Sequence, residues 1–432
     1  MVSVSISGSP RAVALDVIRR VTDEGAYSNL TLRAALDRSS LDPRDRNLVT
    51  EIAYGTIRRL LGLDWVLAKH SSRPLERVTP GARALLRLGA YQLLFTRIPS
   101  HAAVDETVGL AEGGERGFVN AVLRSLARSG AVWPDGKDDQ AVSIRTGLAP
   151  WAVRELRRLL GEEAEAAAAA LGHRAPLTLR TNSCRTTVDE LEGAQIAGGH
   201  RPTRGRIHPE SLQLQDGADP RSLPGYREGW FAVQDQASSY VVAALDPQPG
   251  ERVLDACAGP GGKAAHAACR CRPEGLVIGA DLSPTRARLV RDQAGRLGVR
   301  VAVVIQDGRT PALRGPFDRI LVDAPCSGVG SARRRPELLW RARRQNLSTL
   351  ARLQVAIVTK VAGLLRPGGR LVYSVCTFPR AETDAACDAI LRRRPDLRAE
   401  VLPGPHGDAE RVRLWPHRDG TDAMFVAGFR RR

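Results

Sequence analysis

The 432-residue sequence carries a formal net charge of +17, and 43% of its residues are hydrophobic, which suits two or three domains with cores of their own. No stretch approaches the roughly 18 consecutive apolar residues of a membrane span, and the first residues lack the basic and apolar parts of a signal peptide. We therefore expect a cytoplasmic protein without a membrane partner, with a disordered tail at residues 1–10.

The excess positive charge indicates a polyanionic partner, because cytosolic proteins this basic usually meet nucleic acid. A surface that only confers solubility is the alternative. The seven cysteines are an odd number and include no Cys-x-x-Cys pair. We therefore expect reduced thiols, no disulfide and no bound metal.

Residues 11–135 are predicted to be all helix. Apolar residues recur there at helical spacing, as in Ala12, Leu15, Ile18 and Val21, and Asp42-Pro43 is a typical helix start. Residues 145–235 follow as a linking helix and a small α+β module. Its predicted elements include a short strand at 177–182 and a helix from Val188 to Ala197.

Residues 236–432 alternate between short apolar runs and helical segments, which predicts a doubly wound, mostly parallel sheet. Helices are expected at roughly 284–297 and 346–365. The predicted strands lie at 252–255, 276–280, 299–305, 319–322, 371–375 and 423–429.

The first of these strands ends in Asp255-Ala-Cys-Ala-Gly-Pro-Gly-Gly-Lys263. Glycines let a backbone approach a ligand, and the helix that follows offers free N–H groups. Acids follow the next two strands, where Asp281 could bind ribose hydroxyls and Asp307 an adenine amino group. A nucleoside without a pyrophosphate is implied, so S-adenosylmethionine fits better than NAD. Ordinary turn glycines and helix-capping acids are the alternative.

Two further strands end in a thiol, at Cys326 after Asp323 and at Cys376. Neighbouring parallel strands would bring these groups about 5 Å apart at one sheet edge. A thiolate added to C6 of cytosine makes C5 nucleophilic, an acid can hydrogen-bond N3 and the amine, and a second thiol can assist release. Two ordinary core cysteines are the alternative.

Residues 332–344 hold six arginines and Trp340. This composition suits contacts to phosphates and stacking on bases. A solvated run of charge is the alternative.

Taken together, the sequence resembles the Sun-type, or RsmB-type, family of ribosomal RNA cytosine-5 methyltransferases along nearly its whole length. The shared motifs are D-A-C-A-G-P-G-G-K, D-A-P-C-S-G-V-G, R-R-P-E-L-L-W, V-Y-S-V-C-T and F-A-V-Q-D-Q-A-S. L-R-L-G-A-Y-Q-L-L and G-F-V-N-A-V-L-R resemble the NusB-like RNA-binding domain of this family. The resemblance implies a Rossmann-like class I methyltransferase sheet at the C-terminus (236–432), an all-α NusB-like domain (11–135) and the small α+β module between them.

The resemblance also implies roles for residues. Cys376 would be the nucleophile, Cys326 would aid product release, and Asp323 would contact both cytosine and the cofactor. The S-adenosylmethionine pocket would be lined by Cys257, Ala258, Gly259, Pro260, Gly261, Gly262, Lys263, Asp281, Arg286, Asp307 and Asp323. Two departures are visible: Gly259 stands where alanine is usual, and Glu382-Thr383-Asp384 where Glu-Asn-Glu is usual.

The implied partner is small-subunit ribosomal RNA carrying an unpaired cytosine, since a paired base must first be extruded. We expect a monomer. Two alternatives remain: cytosine-5 methylation of another RNA such as tRNA, and a NusB-like RNA-binding or assembly factor whose methyltransferase domain is vestigial. An NAD enzyme has little support without a pyrophosphate loop.

Overall fold

A computed structural model describes residues 8–215 and 218–432 of the chain, which form two compact units. One comprises the chain up to Arg174 together with Ala332–Ala342, and the other Ala175–Ser331 with Arg343–Arg432. Most of the tail expected at residues 1–10 lies outside the described residues. Within that range the first helix already begins at Pro10, after Ser9, whose side chain accepts a hydrogen bond from the N–H of Ala12.

The first unit is a bundle of helices, as the apolar spacing predicted. Its helix starts carry the expected capping residues, because Asp42 and Thr79 accept hydrogen bonds from the first turn and a proline follows each of them. The helices are Pro10–Thr22, Ser28–Arg38, Pro43–Arg58, Leu60–His70, Pro80–Phe95, Ser100–Gly109, Arg116–Ser129, Asp139–Thr146, Pro150–Leu160, Ala164–Leu171 and the short Leu338–Arg341.

The segment Ala332–Ala342 packs into this helical unit. The Glu337 side chain is fully buried, the Trp340 indole N–H donates to the Ile57 carbonyl at 2.8 Å, and the Arg341 guanidinium donates to the carbonyls of the turn after the first helix. These contacts correct the expectation that Trp340 and Arg341 serve RNA. Their polar atoms satisfy backbone carbonyls within the protein, which composition alone did not reveal.

The second unit begins with a four-stranded antiparallel sheet in the order β2-β3-β1-β4. Its predicted helix, Val188–Ala197, is confirmed and begins with a capping box between Thr187 and Glu190. The strands are β1 Leu177–Thr181, β2 Pro202–Arg204, β3 Ser211–Leu214 and β4 Phe231–Val233.

A disulfide joins Cys184, in the loop after β1, to Cys269 in the helix Gly262–Arg270. The expectation of a chain without disulfides was therefore wrong. The two cysteines are 85 residues apart in sequence, and their Cα atoms are 5.8 Å apart in the fold. Only the packing of the small sheet against that helix brings them together, and spacing along the chain carried no sign of it.

An eight-stranded sheet forms the rest of the second unit, in the order β10-β12-β9-β8-β5-β6-β7 with β11 paired to β12. The five strands from β9 to β7 in this order are parallel and β12 is antiparallel, as the alternating pattern predicted for most of the sheet. The strands are β5 Arg252–Asp255, β6 Leu276–Asp281, β7 Ala302–Ile305, β8 Phe317–Asp323, β9 Leu365–Val375, β10 Leu397–Glu400, β11 Arg411–Leu414 and β12 Met424–Arg431.

Helices cover both faces of this sheet and bury its apolar strands. The helices of the second unit, besides Val188–Ala197, are Gln236–Leu245, Gly262–Arg270, Pro284–Leu297, Leu347–Val361, Asp384–Arg393 and Pro416–Asp419. By length and composition, the stretch Arg344–Leu364 could cross a membrane. It carries Arg352 and Lys360, and its Val355, Val358 and Val361 pack into the core beneath the sheet, as in a core helix.

Candidate active site

Three neighbouring strands, β5, β8 and β9, deliver acids and thiols to one edge of the large sheet. β8 pairs in parallel with both β5 and β9, so the predicted adjacency of the two thiol-bearing strands is confirmed. Asp255 ends β5, Asp323 ends β8, and Cys376 directly follows β9. The carboxyl ends of parallel strands are where this class of sheet usually binds ligands.

The sulfur atoms of Cys326 and Cys376 lie 3.5 Å apart, and both residues are half-buried. A close approach of backbones holds the Cys326 loop there, because the N–H of Gly330 donates to the carbonyl of Cys376 at 3.0 Å. A Cβ at Gly330 would lie 2.1 Å from the carbonyl oxygen of Ala423, so only glycine fits. The pKa of Cys326 is raised by its hydrogen bond with Cys376 and by burial, so Cys326 keeps its proton.

Asp323 is held from two sides. The Lys263 ammonium contacts one carboxylate oxygen at 2.8 Å, and the Ser374 hydroxyl donates to the other at 2.8 Å. Burial opposes the charge on Lys263, but the charges of Asp323 and Cys376 raise its pKa above the ordinary value. Lys263 therefore stays cationic beside both the carboxylate and the thiol, a partnership that the sequence did not indicate.

Asp255 is only 1% exposed, and its Oδ2 atom has no hydrogen-bond partner in the described structure. Its Oδ1 atom accepts from the N–H of Cys257 at 3.3 Å. Burial and the charge of Asp323 raise the pKa of Asp255 to about 7, although Lys263 acts in the opposite direction. Sequence inspection placed this residue at the strand end but gave it no role.

The glycine-rich loop runs from β5 into the helix Gly262–Arg270. The N–H of Ala258 donates to the Ala280 carbonyl on β6, Cys257 is half-buried with a pKa raised by burial, and Pro260 is exposed. Gly261 has φ +110°, and a Cβ there would lie 2.8 Å from the Cα of Val290. The loop therefore requires glycine at this position, and it leaves the helix N-terminus open at Gly262.

Asp281, at the end of β6, is largely buried and faces this loop. Its carboxylate accepts from the N–H groups of Gly259 and Ser283, both at 3.0 Å, and lies 3.3 Å from Arg286 Nε. A Cβ at Gly259 would lie 2.7 Å from atoms of Arg286. Gly259, which stands where alanine is usual in the family, therefore leaves room for Arg286. The Arg286 side chain also donates to the Gly259 carbonyl at 2.5 Å.

Asp307 follows β7, which lies beyond β6, so it is one strand further from the two thiols than Asp281. Its carboxylate bonds Arg309, whose side chain donates at 2.6–3.0 Å, and these hydrogen bonds lower its pKa. The structure thus places Asp307 at the same sheet edge as Asp281 but engages its oxygen atoms with an exposed arginine. Cys326, Cys376, Asp323 and Lys263 form one cluster, and Asp281 and Arg286 form a second at the glycine loop.

A further buried cluster lay outside the predicted site. His208, Glu210 and His266 place potential ligand atoms within 4.8 Å of one another. Burial lowers the pKa of His208 to about 4 and of His266 to about 3. Burial opposes ionisation of Glu210, but His266 and Arg180 lower its pKa to about 2. The two histidines are 58 residues apart in sequence, so no sequence motif indicated that they form a cluster.

Comparison with known proteins identifies the family. A model described as 16S rRNA methyltransferase RsmB/F matches residues 242–430, one for the NusB family matches 9–128, and one for a ferredoxin-like domain of RsmF/B-like methyltransferases matches 149–219. A probable ribosomal RNA small subunit methyltransferase B from Bacillus subtilis is 34% identical over 98% of this chain and 99% of its own. The chain belongs to the RsmB/F family.

Other comparisons agree with this assignment. The ribosomal RNA small subunit methyltransferase B of Vibrio cholerae is 37% identical over 96% of each chain. The crystal structure of PH0851 superposes with a TM-score of 0.82 over 99% of this chain and 100% of its own, at 22% identity, and so supports the fold. The resemblance noted in the sequence is confirmed, as are the NusB-like and Rossmann-like architecture and S-adenosylmethionine as cofactor of this RsmB/F-family protein.

Proposed function

We propose that this protein methylates C5 of an unpaired cytosine in small-subunit ribosomal RNA, through a covalent bond between Cys376 and C6 of the base. One observation carries the proposal: two sulfur atoms lie 3.5 Å apart at adjacent strand ends, beside the carboxylate of Asp323. Attack, base recognition and release need two thiols and an acid in one place.

Cys376 is the better nucleophile of the pair. Cys326 retains its proton, because its hydrogen bond with Cys376 and burial raise its pKa, and it can donate that proton to the neighbouring sulfur. The Lys263 ammonium acts electrostatically on Cys376. Both effects favour a thiolate on Cys376, which is the form that attacks carbon.

Asp323 is positioned to hold the base. Lys263 and Ser374 fix its two oxygen atoms, and its side chain remains 29% exposed at the sheet edge. In the proposed reaction its carboxylate accepts a hydrogen bond from the amine of cytosine and so orients the base. The Cys376 thiolate adds to C6, and the displaced electron pair makes C5 nucleophilic. After C5 has been methylated, its proton passes to solvent and the Cys376–C6 bond breaks, which restores the ring and releases the Cys376 thiolate. The protonated Cys326 assists this release by donating a hydrogen bond to the departing sulfur.

The residues around the glycine loop fit S-adenosylmethionine, which supplies an electrophilic methyl group when bound. The cofactor is cationic, and the loop faces Asp281 and the buried carboxylate of Asp255, whose Oδ2 atom lacks a partner in the described structure. Cys257 to Lys263, Asp281, Arg286 and Asp307 are the proposed cofactor-binding residues, together with Asp323.

The substrate class rests on the relatives and on charge. Relatives that cover 96–98% of the chain bear the name ribosomal RNA small subunit methyltransferase B. Residues 9–128 match the NusB family, and the net charge of +17 suits an RNA partner. We propose that the protein acts in the cytoplasm as a monomer.

Substitution of each cysteine tests the proposed roles of Cys376 as nucleophile and Cys326 in release. With small-subunit rRNA and radiolabelled S-adenosylmethionine, Cys376→Ala should lower methyl transfer at least 1,000-fold. Cys326→Ala should instead leave a covalent protein–RNA complex visible on a denaturing gel. Cys387→Ala, which alters a buried thiol in the helix Asp384–Arg393, is the matched control and should transfer methyl groups normally. Full activity of Cys326→Ala without a complex would contradict the assignment.

The alternatives predict other outcomes. An RNA-binding assembly factor with a vestigial domain would bind rRNA but show no S-adenosylmethionine binding by calorimetry. A tRNA methyltransferase would label tRNA in the same assay and leave rRNA unlabelled.

A further inference from the structure

Glu382 lies at the centre of the hydrogen bonds around the Cys326 loop. The residue is fully buried, and its Oε1 atom accepts from the backbone N–H of Ser327 at 2.9 Å. Its Oε2 atom accepts from the Ser327 hydroxyl at 2.6 Å. Ser327 directly follows Cys326, so both bonds act on the chain next to this thiol.

The other side of Cys326 is held through Gln354. The Gln354 amide donates to Glu382 Oε1 at 2.9 Å and to the carbonyl of Pro325 at 3.0 Å. Pro325 directly precedes Cys326. Glu382 and Gln354 therefore fix the backbone on both sides of the thiol from the helix Leu347–Val361 and the turn after Cys376.

The same network reaches the strand that carries Cys376. The hydroxyls of Ser327 and Thr377 lie 2.7 Å apart, and Thr377 directly follows Cys376. On β9, the buried Tyr373 hydroxyl donates to the Glu382 carbonyl at 2.7 Å and lies 3.0 Å from Gln354 Oε1. The two thiol-bearing loops are thus tied to one another through groups that Glu382 organises.

We propose that Glu382 is a positioning residue that holds the Cys326 sulfur against that of Cys376. It touches neither sulfur in the described contacts and acts through Ser327 and Gln354. The geometric part of this proposal is independent of the reaction. Its consequence for catalysis rests on the proposed function: a displaced Cys326 would slow release of the methylated RNA.

Three substitutions separate hydrogen bonding from charge. Glu382→Ala removes both carboxylate oxygens, so the N–H and hydroxyl of Ser327 and the amide of Gln354 lose this acceptor. Glu382→Gln keeps one oxygen for Ser327 N–H and Gln354, and its amide can donate to the Ser327 hydroxyl, which then donates to Thr377. Ser327→Ala removes only the hydroxyl contacts, so it tests the network even if Glu382→Ala fails to fold. Glu400→Ala, which removes a glutamate paired with Arg370 and Arg430, is the matched control.

Oxidative crosslinking of the RNA-free protein tests directly whether the sulfur atoms of Cys326 and Cys376 are held close together. The azo oxidant diamide takes two electrons and two protons from the thiols of Cys326 and Cys376, and peptide mass spectrometry follows their disulfide. We expect Glu382→Ala to crosslink at least tenfold more slowly than wild type, Ser327→Ala about threefold more slowly, and Glu382→Gln and Glu400→Ala within twofold. A folded Glu382→Ala protein, or Ser327→Ala if the former does not fold, that crosslinks at the wild-type rate would overturn the proposal.

A second measurement separates this inference from the proposed reaction. With rRNA and S-adenosylmethionine, Glu382→Ala should retain a larger fraction of covalent protein–RNA complex than wild type, and Glu382→Gln should restore release. Slow crosslinking in Glu382→Ala, with no complex even in Cys326→Ala, would support the positioning role and refute the proposed function. Wild-type release and crosslinking in Glu382→Ala would refute the positioning role alone.

Discussion

At the scale of single residues, the site concentrates like charges in a buried place. Asp255, Asp281 and Asp323 each act on the ionisation of one or more neighbours, and Lys263 offsets part of this repulsion. At Asp255, burial and the charge of Asp323 raise the pKa to about 7. A buried carboxylate with a raised pKa costs stability when it ionises, which is the expected compromise at a site that we propose receives a cationic cofactor.

This cost predicts a pH-dependent effect of Asp255→Asn. The pKa of Asp255 is raised in the folded protein from 3.8 to about 7, so the unfolded chain binds fewer protons between these values. Folding stability from this residue is therefore lost as pH rises from about 4 to 7. Relative to wild type, Asp255→Asn should raise the free energy of unfolding by about 2 kcal/mol more at pH 8 than at pH 5.

Urea unfolding at both pH values measures the difference. Asp292→Asn makes the same change on an exposed helix surface and should be nearly neutral at either pH. An equal change in the free energy of unfolding on Asp255→Asn at pH 5 and pH 8 would show that ionisation of this carboxylate does not destabilise the fold.

At the scale of elements, a segment distant in sequence completes the helical unit. Ala332–Ala342 follows the thiol-bearing loop in sequence but packs among helices formed by residues 10–174. The Ser28 hydroxyl donates to Glu337 at 2.5 Å, and the Ser28 N–H donates at 3.3 Å. Because Glu337 is fully buried, these bonds fix the segment rather than a mobile surface loop.

Substitution of Glu337 should therefore destabilise the helical unit. Glu337→Ala leaves the Ser28 donors buried without an acceptor and should lower the free energy of unfolding by about 2 kcal/mol, and Ser28→Ala by about 1 kcal/mol. Because both changes break the same bond, the double variant should lose less than their sum by about 1 kcal/mol. Glu112→Ala, an exposed glutamate of the same unit, is the control. Additive losses in urea unfolding would show that the two residues do not interact.

Helices and strands were largely predictable, because the spacing of apolar residues and the capping residues are visible within a short stretch of sequence. Val188–Ala197 and the parallel order of β8 and β9 follow from such signals. The burial of Glu337 against Ser28 and the disulfide Cys184–Cys269 do not, since they join residues that only the packed fold makes neighbours. The same limit hid the hydrogen bonds of Glu382 and the ion pair of Lys263 with Asp323.

At the scale of the whole molecule, two parts of the chain match models of two different families. The NusB family model covers residues 9–128, and the methyltransferase model covers 242–430. The net charge of +17 makes affinity for RNA dependent on salt, because bound cationic groups release counterions from phosphates. Charge supplies affinity for RNA of any sequence, so in the proposed function the choice of one cytosine would depend on the site at the sheet edge.

Bisulfite sequencing of small-subunit rRNA from a strain lacking this protein tests the central claim most directly. We predict that one 5-methylcytosine is lost, and that it returns when the strain carries the wild-type protein but not Cys376→Ala. Immunoblotting should show equal amounts of both proteins. An unchanged methylcytosine map in the deletion strain, or restoration by Cys376→Ala, would contradict the account.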